Sequence, residues 1–373
     1  MRPEAVAAME PFLSGCFANP SGIHGAARDA KTALEGAREV VASALGGHPG
    51  EVVFTGGGTE ADNLAVEGAA RAAGGRDGVV ITAFEHKGVL AAGDRLGAEG
   101  FRVERVGAHA DGLVDLAALE AALDERTAVV SVMLVNNEVG TIQPLGEVAA
   151  LVRARAPQAV LHTDAVQAVP WLDVAAAAAD AQLIAISGHK FGGPKGVGAL
   201  VVRDGTKVRP LLEGGGQERG LRAGTVNVAG AVAMAAALSA TVERRVDDVR
   251  RVTALRDRLL TGLTTAVPDA FVNGDPTRKV AGNCHIGFRG VEAEALLVGL
   301  DREGIYAAAG SSCSSGATDP SHVLAAMGVP REDALASIRL SLGFASKEED
   351  VDRALTVIPA AVEGLREPIR VAR

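Results

Sequence analysis

The chain has 373 residues, 48% of them hydrophobic and 22% charged, with a formal net charge of −9. That make-up suits a globular protein of roughly two or three domains, and its acidic balance argues against a nucleic-acid binder. The cysteines are Cys16, Cys284 and Cys313; the absence of a C-x-x-C pair and of an H-x-x-x-H pair argues against a disulfide framework and a structural zinc site.

The opening segment, MRPEAVAAMEPFL, is interrupted by Glu4, Glu10 and two prolines, so no signal peptide is expected. The longest apolar stretch, Val228 to Ala240, is too short to span a membrane. The expectation is a soluble, cytoplasmic protein. A helix-period segment, Ala26 to Leu45, ends at Gly46-Gly47. A short apolar run, Val52 to Phe54, then meets a glycine cluster. Further strands are predicted at Val79 to Thr82, Phe101 to Val106, Ala128 to Leu134, Val160 to Thr163 and Leu183 to Ser187, with helical segments between most of them. Short apolar strands alternating with helices predict an α/β domain with a largely parallel sheet. From Val226 the pattern changes to two long helical stretches reaching about Ala266. A strand near Asn283 to Phe288, a helix from Glu292, a strand near Ile338 to Leu342 and a closing helix from Lys347 follow. The expected division is a large α/β domain over 15–244 and a smaller α+β domain made of 1–14 and 245–373.

Ligands of parallel sheets bind beyond the carboxyl ends of the strands. The first such end reads Phe54-Thr55-Gly56-Gly57-Gly58-Thr59-Glu60-Ala61-Asp62. Thr59 is expected to cap the next helix, with Asp62 in capping-box position, and the helix start would favour a phosphate. The same run fits the dinucleotide pattern G-x-G-x-x-A, with Glu85 as a ribose ligand, so an NAD-dependent oxidoreductase stays open at this point. Two later ends carry Asp164, with Gln167 just beyond, and Lys190. A carboxylate and a lysine at successive strand ends form either an ordinary salt bridge or the pair that pyridoxal 5'-phosphate (PLP) requires: a lysine for the Schiff base and an acid for the pyridine nitrogen. Finally, Ala307 to Gly316 sets Cys313 among small residues, which is poor for core packing and good for reactivity. Cys16 and Cys284 read as structural.

Ser187-Gly188-His189-Lys190, followed by Gly193-Pro194-Lys195-Gly196, resembles the PLP-lysine motif of the cysteine desulfurases, in the class V aminotransferase group of fold type I PLP enzymes. Other matching segments are Asn19-Pro20-Ser21, Thr59-Glu60-Ala61-Asp62-Asn63-Leu64, Glu85-His86-Lys87, Val135 to Gly140, Gly214 to Gly220, Arg222-Ala223-Gly224-Thr225, the cysteine loop, and Ser337 to Gly343. The resemblance implies the fold type I architecture: a large domain with a mostly parallel sheet and a smaller α+β domain. It implies that Lys190 attaches the cofactor, Asp164 pairs with the pyridine nitrogen, Gln167 contacts the ring hydroxyl, and His86 stacks on the ring and helps move protons. Gly58, Thr59, Ser187 and His189 would hold the phosphate, joined by Thr225 across a homodimer. Asn137 and Arg339 would bind the substrate carboxylate.

The implied reaction converts L-cysteine to L-alanine, with Cys313 carrying the sulfur as a persulfide to an acceptor protein. The cysteine loop is similar to the longer-loop branch that serves iron–sulfur assembly and tRNA thiolation. In the family a first strand carrying Asp and then Ala-Thr-Thr-Pro usually precedes the point where Met1 stands, and scaffold-binding members have a longer C-terminal tail. The tail speaks against an iron–sulfur scaffold as the acceptor, and the first strand leaves a non-catalytic sulfur-relay or regulatory protein as the third reading.

Overall fold

The computed structural model describes residues 1–310 and 320–366. Packing divides the chain into two units, the first made of 1–106, 115–135 and 143–245, the second of 107–114, 136–142 and 246–373.

The first unit is built on a seven-stranded sheet: β1 Val52–Thr55, β2 Gly78–Thr82, β3 Arg102–Val106, β4 Thr127–Ser131, β5 Val160–Asp164, β6 Leu183–Ser187 and β7 Gly198–Val202. The spatial order is β1-β7-β6-β5-β4-β2-β3. The ladders from β3 to β6 are parallel, and β7 runs antiparallel to both β6 and β1. Strands β1, β2, β4, β6 and β7 are buried along their whole length. That is why they read as continuous apolar runs and not as alternation. One core packs β1, β2, β4, β6 and β7 against the helices Gly58–Ala72 and Lys87–Ala98 through Val53, Leu64, Val79, Ile81, Leu96, Val129, Leu183 and Leu200. The helix Gly25–Ala44 buries Ala27, Ala30, Leu34, Ala37 and Val41, the i, i+3/i+4 stripe that makes it visible in the sequence.

Residues 1–14 group with this first unit, not with the smaller domain where the sequence reading set them. The reason is local. Arg2 is buried, its N–H donates to Gly192 O at 2.7 Å and its Nε to Phe191 O at 3.2 Å. Glu4 pairs with Arg244 at 2.8 Å.

In the second unit β8 Ala270–Val272, β9 Asn283–Phe288, β10 Ala308–Ala309 and β11 Ser337–Ser341 form an antiparallel sheet in the order β10-β11-β9-β8. Its apolar side packs on the helices Ala293–Arg302 and Glu348–Arg366 through Ile286, Phe288, Leu296, Leu300, Ile338 and Ile358. The two helical stretches expected after Val226 are one 39-residue helix, Val228–Ala266. No proline breaks it, and its two glycines, Gly230 and Gly262, stand near its ends. Among the described residues no helix is long and apolar enough to cross a membrane.

Candidate active site

Asp164 is the last residue of β5. Lys190 closes the single helical turn Gly188–Lys190 that follows β6. These two strands are parallel neighbours with Asp164 opposite Ala185, so the acid and the lysine leave the sheet from the same edge. Asp164 is 4% exposed and its Oδ1 accepts the Val166 N–H at 2.8 Å. Burial raises its carboxyl above the ordinary value, opposed by that N–H and by the charges of His86 and Lys190. His86, half-buried, caps the helix Lys87–Ala98 by accepting Gly88 N–H on Nδ1 at 3.1 Å. Gln167 is half-buried in the turn beyond Asp164, and Lys190 is exposed.

The glycine cluster departs from the expected capping. The helix Gly58–Ala72 begins after Gly57, whose φ of 147° only glycine adopts readily, and no side chain caps it. Thr59 is therefore already inside the first turn and is not the cap. Asp62 is buried in the protein and not in a capping box. A Cβ on Gly58 would lie 2.8 Å from Val166 Cγ2 and 3.3 Å from Ser187 Cβ. The helix start is thus pressed against the ends of β5 and β6, with its first backbone N–H groups uncapped. Ser187 is buried and its Oγ lies 3.0 Å from His189 Nδ1. An uncapped helix start beside a serine hydroxyl fits a phosphate. Together with a buried carboxylate and a lysine one strand away, these residues fit PLP.

Glu85 is fully buried, 3.2 Å from Ser131 Oγ. The ribose-ligand role considered for it would need an accessible carboxylate, so the dinucleotide reading loses its acidic partner. Thr225 is exposed. Asn137 and Arg339 both belong to the second unit, where Arg339 Nη1 donates to Asn137 O at 2.9 Å. Cys313 lies outside the described residues. Cys284 is buried, and burial pushes its thiol up to about 12, which suits a structural cysteine. Cys16 is half-buried.

Two groups went unread in the sequence. Glu218 sits with Arg219 in left-handed backbone (φ 46° and 56°) and binds both Arg38 and the Phe54 N–H. Its only sequence signal is the glycine-rich run around it. His162, fully buried and 3.5 Å from the equally buried Asp62, is the other; nothing in local sequence marks it, and Asp62 reads there only as a capping-box residue.

The family model for "Aminotransferase class-V" matches residues 1–354. The chain belongs to the class-V aminotransferase family. It is 40% identical over 369 residues to "Cysteine desulfurase IscS" of Clostridium botulinum (strain Hall), covering 98% of this chain and 92% of the relative. It is 42% identical over 367 residues to "Cysteine desulfurase IscS" of Methanosarcina thermophila, covering 98% and 90%. Among solved structures, a "NIFS-LIKE PROTEIN" superposes with a TM-score of 0.91 at 35% identity, covering 98% of this chain and 96% of that one. This class-V fold is the one expected from the motifs, a mostly parallel seven-stranded sheet plus a smaller antiparallel one.

Proposed function

We propose that this class-V chain is a PLP-dependent cysteine desulfurase that converts L-cysteine to L-alanine and passes the sulfur on as a persulfide. The observation that carries the reading is the set Asp164, Lys190, Ser187 and Gly58, gathered at the adjacent ends of β5 and β6 and the uncapped helix start.

Bound there, PLP supplies an electron sink for the substrate's Cα. Lys190 attaches it. Asp164 holds the proton on the pyridine nitrogen, and a buried carboxylate partnered by an N–H and flanked by cationic groups can keep that charge. Gln167 takes the ring hydroxyl. His86, its Nδ1 already committed to Gly88, presents the remaining nitrogen and ring face to stack on the cofactor and move protons. Gly58, Thr59, Ser187 and His189 hold the phosphate, completed by Thr225 across a homodimer. Arg339 and Asn137, already joined by a hydrogen bond, take the substrate carboxylate; a guanidinium can grip both oxygens. The Cys313 thiolate attacks the substrate sulfur. The carbon–sulfur bond breaks, its electron pair stays on carbon and is protonated to give alanine, and Cys313 keeps the sulfur. A sulfur-acceptor protein then relieves it, in iron–sulfur assembly or tRNA thiolation. A reducing cytoplasm, where a free thiol can turn over, is the expected setting.

The test combines colour and mass. Purified protein should be yellow and bleach with hydroxylamine, and Lys190→Ala should lose the covalent cofactor and turnover. After incubation with cysteine, one added sulfur atom should be found on Cys313, and Cys313→Ser should keep the colour yet carry none. A colourless protein that binds NADH, or a persulfide on Cys16 or Cys284, would sink the proposal.

A further inference from the structure

The first unit buries more acid near Asp164 than the proposed reaction uses. Asp62, on the helix Gly58–Ala72, is 1% exposed; Glu85, Ser131 and His162 are each 0% exposed. They form a line. Asp62 Oδ1 lies 3.5 Å from His162 Nε2, His162 Nδ1 lies 2.9 Å from Ser131 Oγ, and Ser131 Oγ lies 3.2 Å from Glu85 Oε1. Neither Asp62 Oδ1 nor His162 Nε2 has a hydrogen-bond partner among the described residues. At the other side, one oxygen of Asp62, one of Asp164 and a ring nitrogen of His86 all lie within 4.8 Å of one another.

Two buried carboxyls this close cannot both ionise without strong repulsion, so one keeps its proton. The surroundings decide which. Asp164 has the Val166 N–H on Oδ1 and feels the charges of His86 and Lys190. Asp62 faces a histidine held neutral and two further acids, Asp164 and Glu85.

We propose that Asp62 is held as the neutral acid and is a positioning residue that confines the buried negative charge to Asp164, with His162 and Ser131 orienting it. Burial pushes the Asp62 carboxyl well above its ordinary value, with Asp164 and Glu85 adding to the effect. Burial also drives the His162 ring down to about 3 and the Glu85 carboxyl up to about 8. Ser131 Oγ donates to Glu85 Oε1, so His162 donates from Nδ1 to Ser131 Oγ, and the unprotonated Nε2 of the neutral ring faces Asp62 Oδ1. A lone pair turned toward Oδ1 favours an Asp62 that carries its proton on that side over an ionised one. The function follows from charge. An ionised Asp62 would repel charge from Asp164 and weaken its hold on a protonated pyridine nitrogen; a neutral one leaves Asp164 the sole anion there. This rests on the reading of Asp164 as the pyridine-nitrogen partner, but the state of Asp62 is testable without the cofactor.

The first experiment is infrared difference spectroscopy of the apoprotein at neutral pH, wild type against Asp62→Asn. The expected result is loss of one protonated-carboxyl C=O band. Loss of a carboxylate band instead would overturn the proposal. Should the variant fold poorly, wild-type protein with 13C-labelled aspartate carboxyls answers the same question: one resonance should remain in its protonated position through neutral pH, and finding every aspartate ionised there overturns it. In the holoenzyme, replacing a neutral acid by a neutral amide should move the titration of the cofactor's absorbance band by less than about 0.3 pH unit, whereas removing a charge so near Asp164 would move it by about a unit or more. A neutral Asp62 in apoprotein that never binds PLP would refute the cofactor reading and leave the charge assignment standing.

Discussion

Replacing Glu218 by alanine should destabilise the first unit by about 3–5 kcal/mol, the range for breaking a buried ion pair from one side. The Glu218 side chain is 2% exposed and that of Arg38 is 7% exposed. Glu218 Oε1 accepts Arg38 Nη2 at 2.7 Å. Its Oε2 accepts Arg38 Nη1 at 2.8 Å and the Phe54 N–H at 2.7 Å. Alanine would leave the guanidinium without its buried counter-ion and the β1 N–H without an acceptor, the latter alone worth about 1–3 kcal/mol. The two losses overlap and do not simply add. Arg38 keeps the Val52 carbonyl at 2.8 Å and the half-solvated Glu35 at 3.2 Å, which sets the ceiling. Alanine gains nothing at the left-handed φ of 46°, because that backbone is as unfavourable for it as for glutamate. Glu218→Gln keeps one acceptor oxygen and should fall between. Urea unfolding followed by fluorescence of the single tryptophan, Trp171, reads this unit directly. A loss below about 1 kcal/mol in Glu218→Ala would mean that the pair sits in effectively aqueous surroundings, and the burial argument would be wrong.

Asp164→Asn should still bind PLP but lower turnover on the order of 10²-fold, since an amide cannot hold the pyridine nitrogen protonated; wild-type kinetics would leave Asp164 purely structural. Gly58→Ala drives a methyl group to 2.8 Å from Val166 Cγ2, so PLP affinity in equilibrium dialysis should drop by about tenfold or more as the helix start shifts. Glu85→Gln should flatten the pH dependence of stability. The folded carboxyl is raised from 4.5 to about 8, so the native state holds an extra proton between those values. The stability it contributes is complete below 4.5 and is lost as pH rises through about 8, at up to about 1.4 kcal/mol per pH unit. Urea midpoints across that window should fall in wild type and fall less in the variant.

The sheet was legible because burial on both faces writes strands as unbroken apolar runs. Within the candidate site, Asp164 and Lys190 stood out because each lies at or just past the end of a strand that the sequence shows. β7 escaped the strand reading although its sequence, Gly-Ala-Leu-Val-Val, is equally apolar, because only the single turn Gly188–Lys190 and no full helix separates it from β6, and the βα alternation gives it no place. Thr59 misled because a threonine after glycines suggests a cap, while the chain had already turned at Gly57. The burial of Asp62 and His162 was illegible for a stronger reason. Asp62 is one of several polar residues at a helix start and His162 one of three at the end of a short apolar run, and the partners that give them meaning arrive from other strands and helices. Residues 1–14 went astray because their anchors, Phe191, Gly192 and Arg244, are nearly two hundred residues or more away in sequence.

The same topology accounts for which strand ends are polar. β1 to β6 all run in one direction; β3, at the edge of the sheet, ends on Val106, and the other five end on Thr55, Thr82, Ser131, Asp164 and Ser187. Each is a hydroxyl or a carboxyl, and each is at most 5% exposed. β7, the reversed strand, ends on Val202 at the opposite edge, and its first residue, Gly198, meets the polar edge instead, paired with both Ser187 and Thr55. A Cβ on Gly198 would lie 2.6 Å from Ile186 O and 2.7 Å from the Gly57 carbonyl carbon. Any side chain there would push the helix start off the edge where Ser187 and Asp164 stand. The reversed strand thus contributes to the site by having no side chain. Five of the six strands that run this way contribute by ending on groups that can hold a charge or share a proton, and one of those ends, Ser131, is the link between His162 and Glu85 in the buried line.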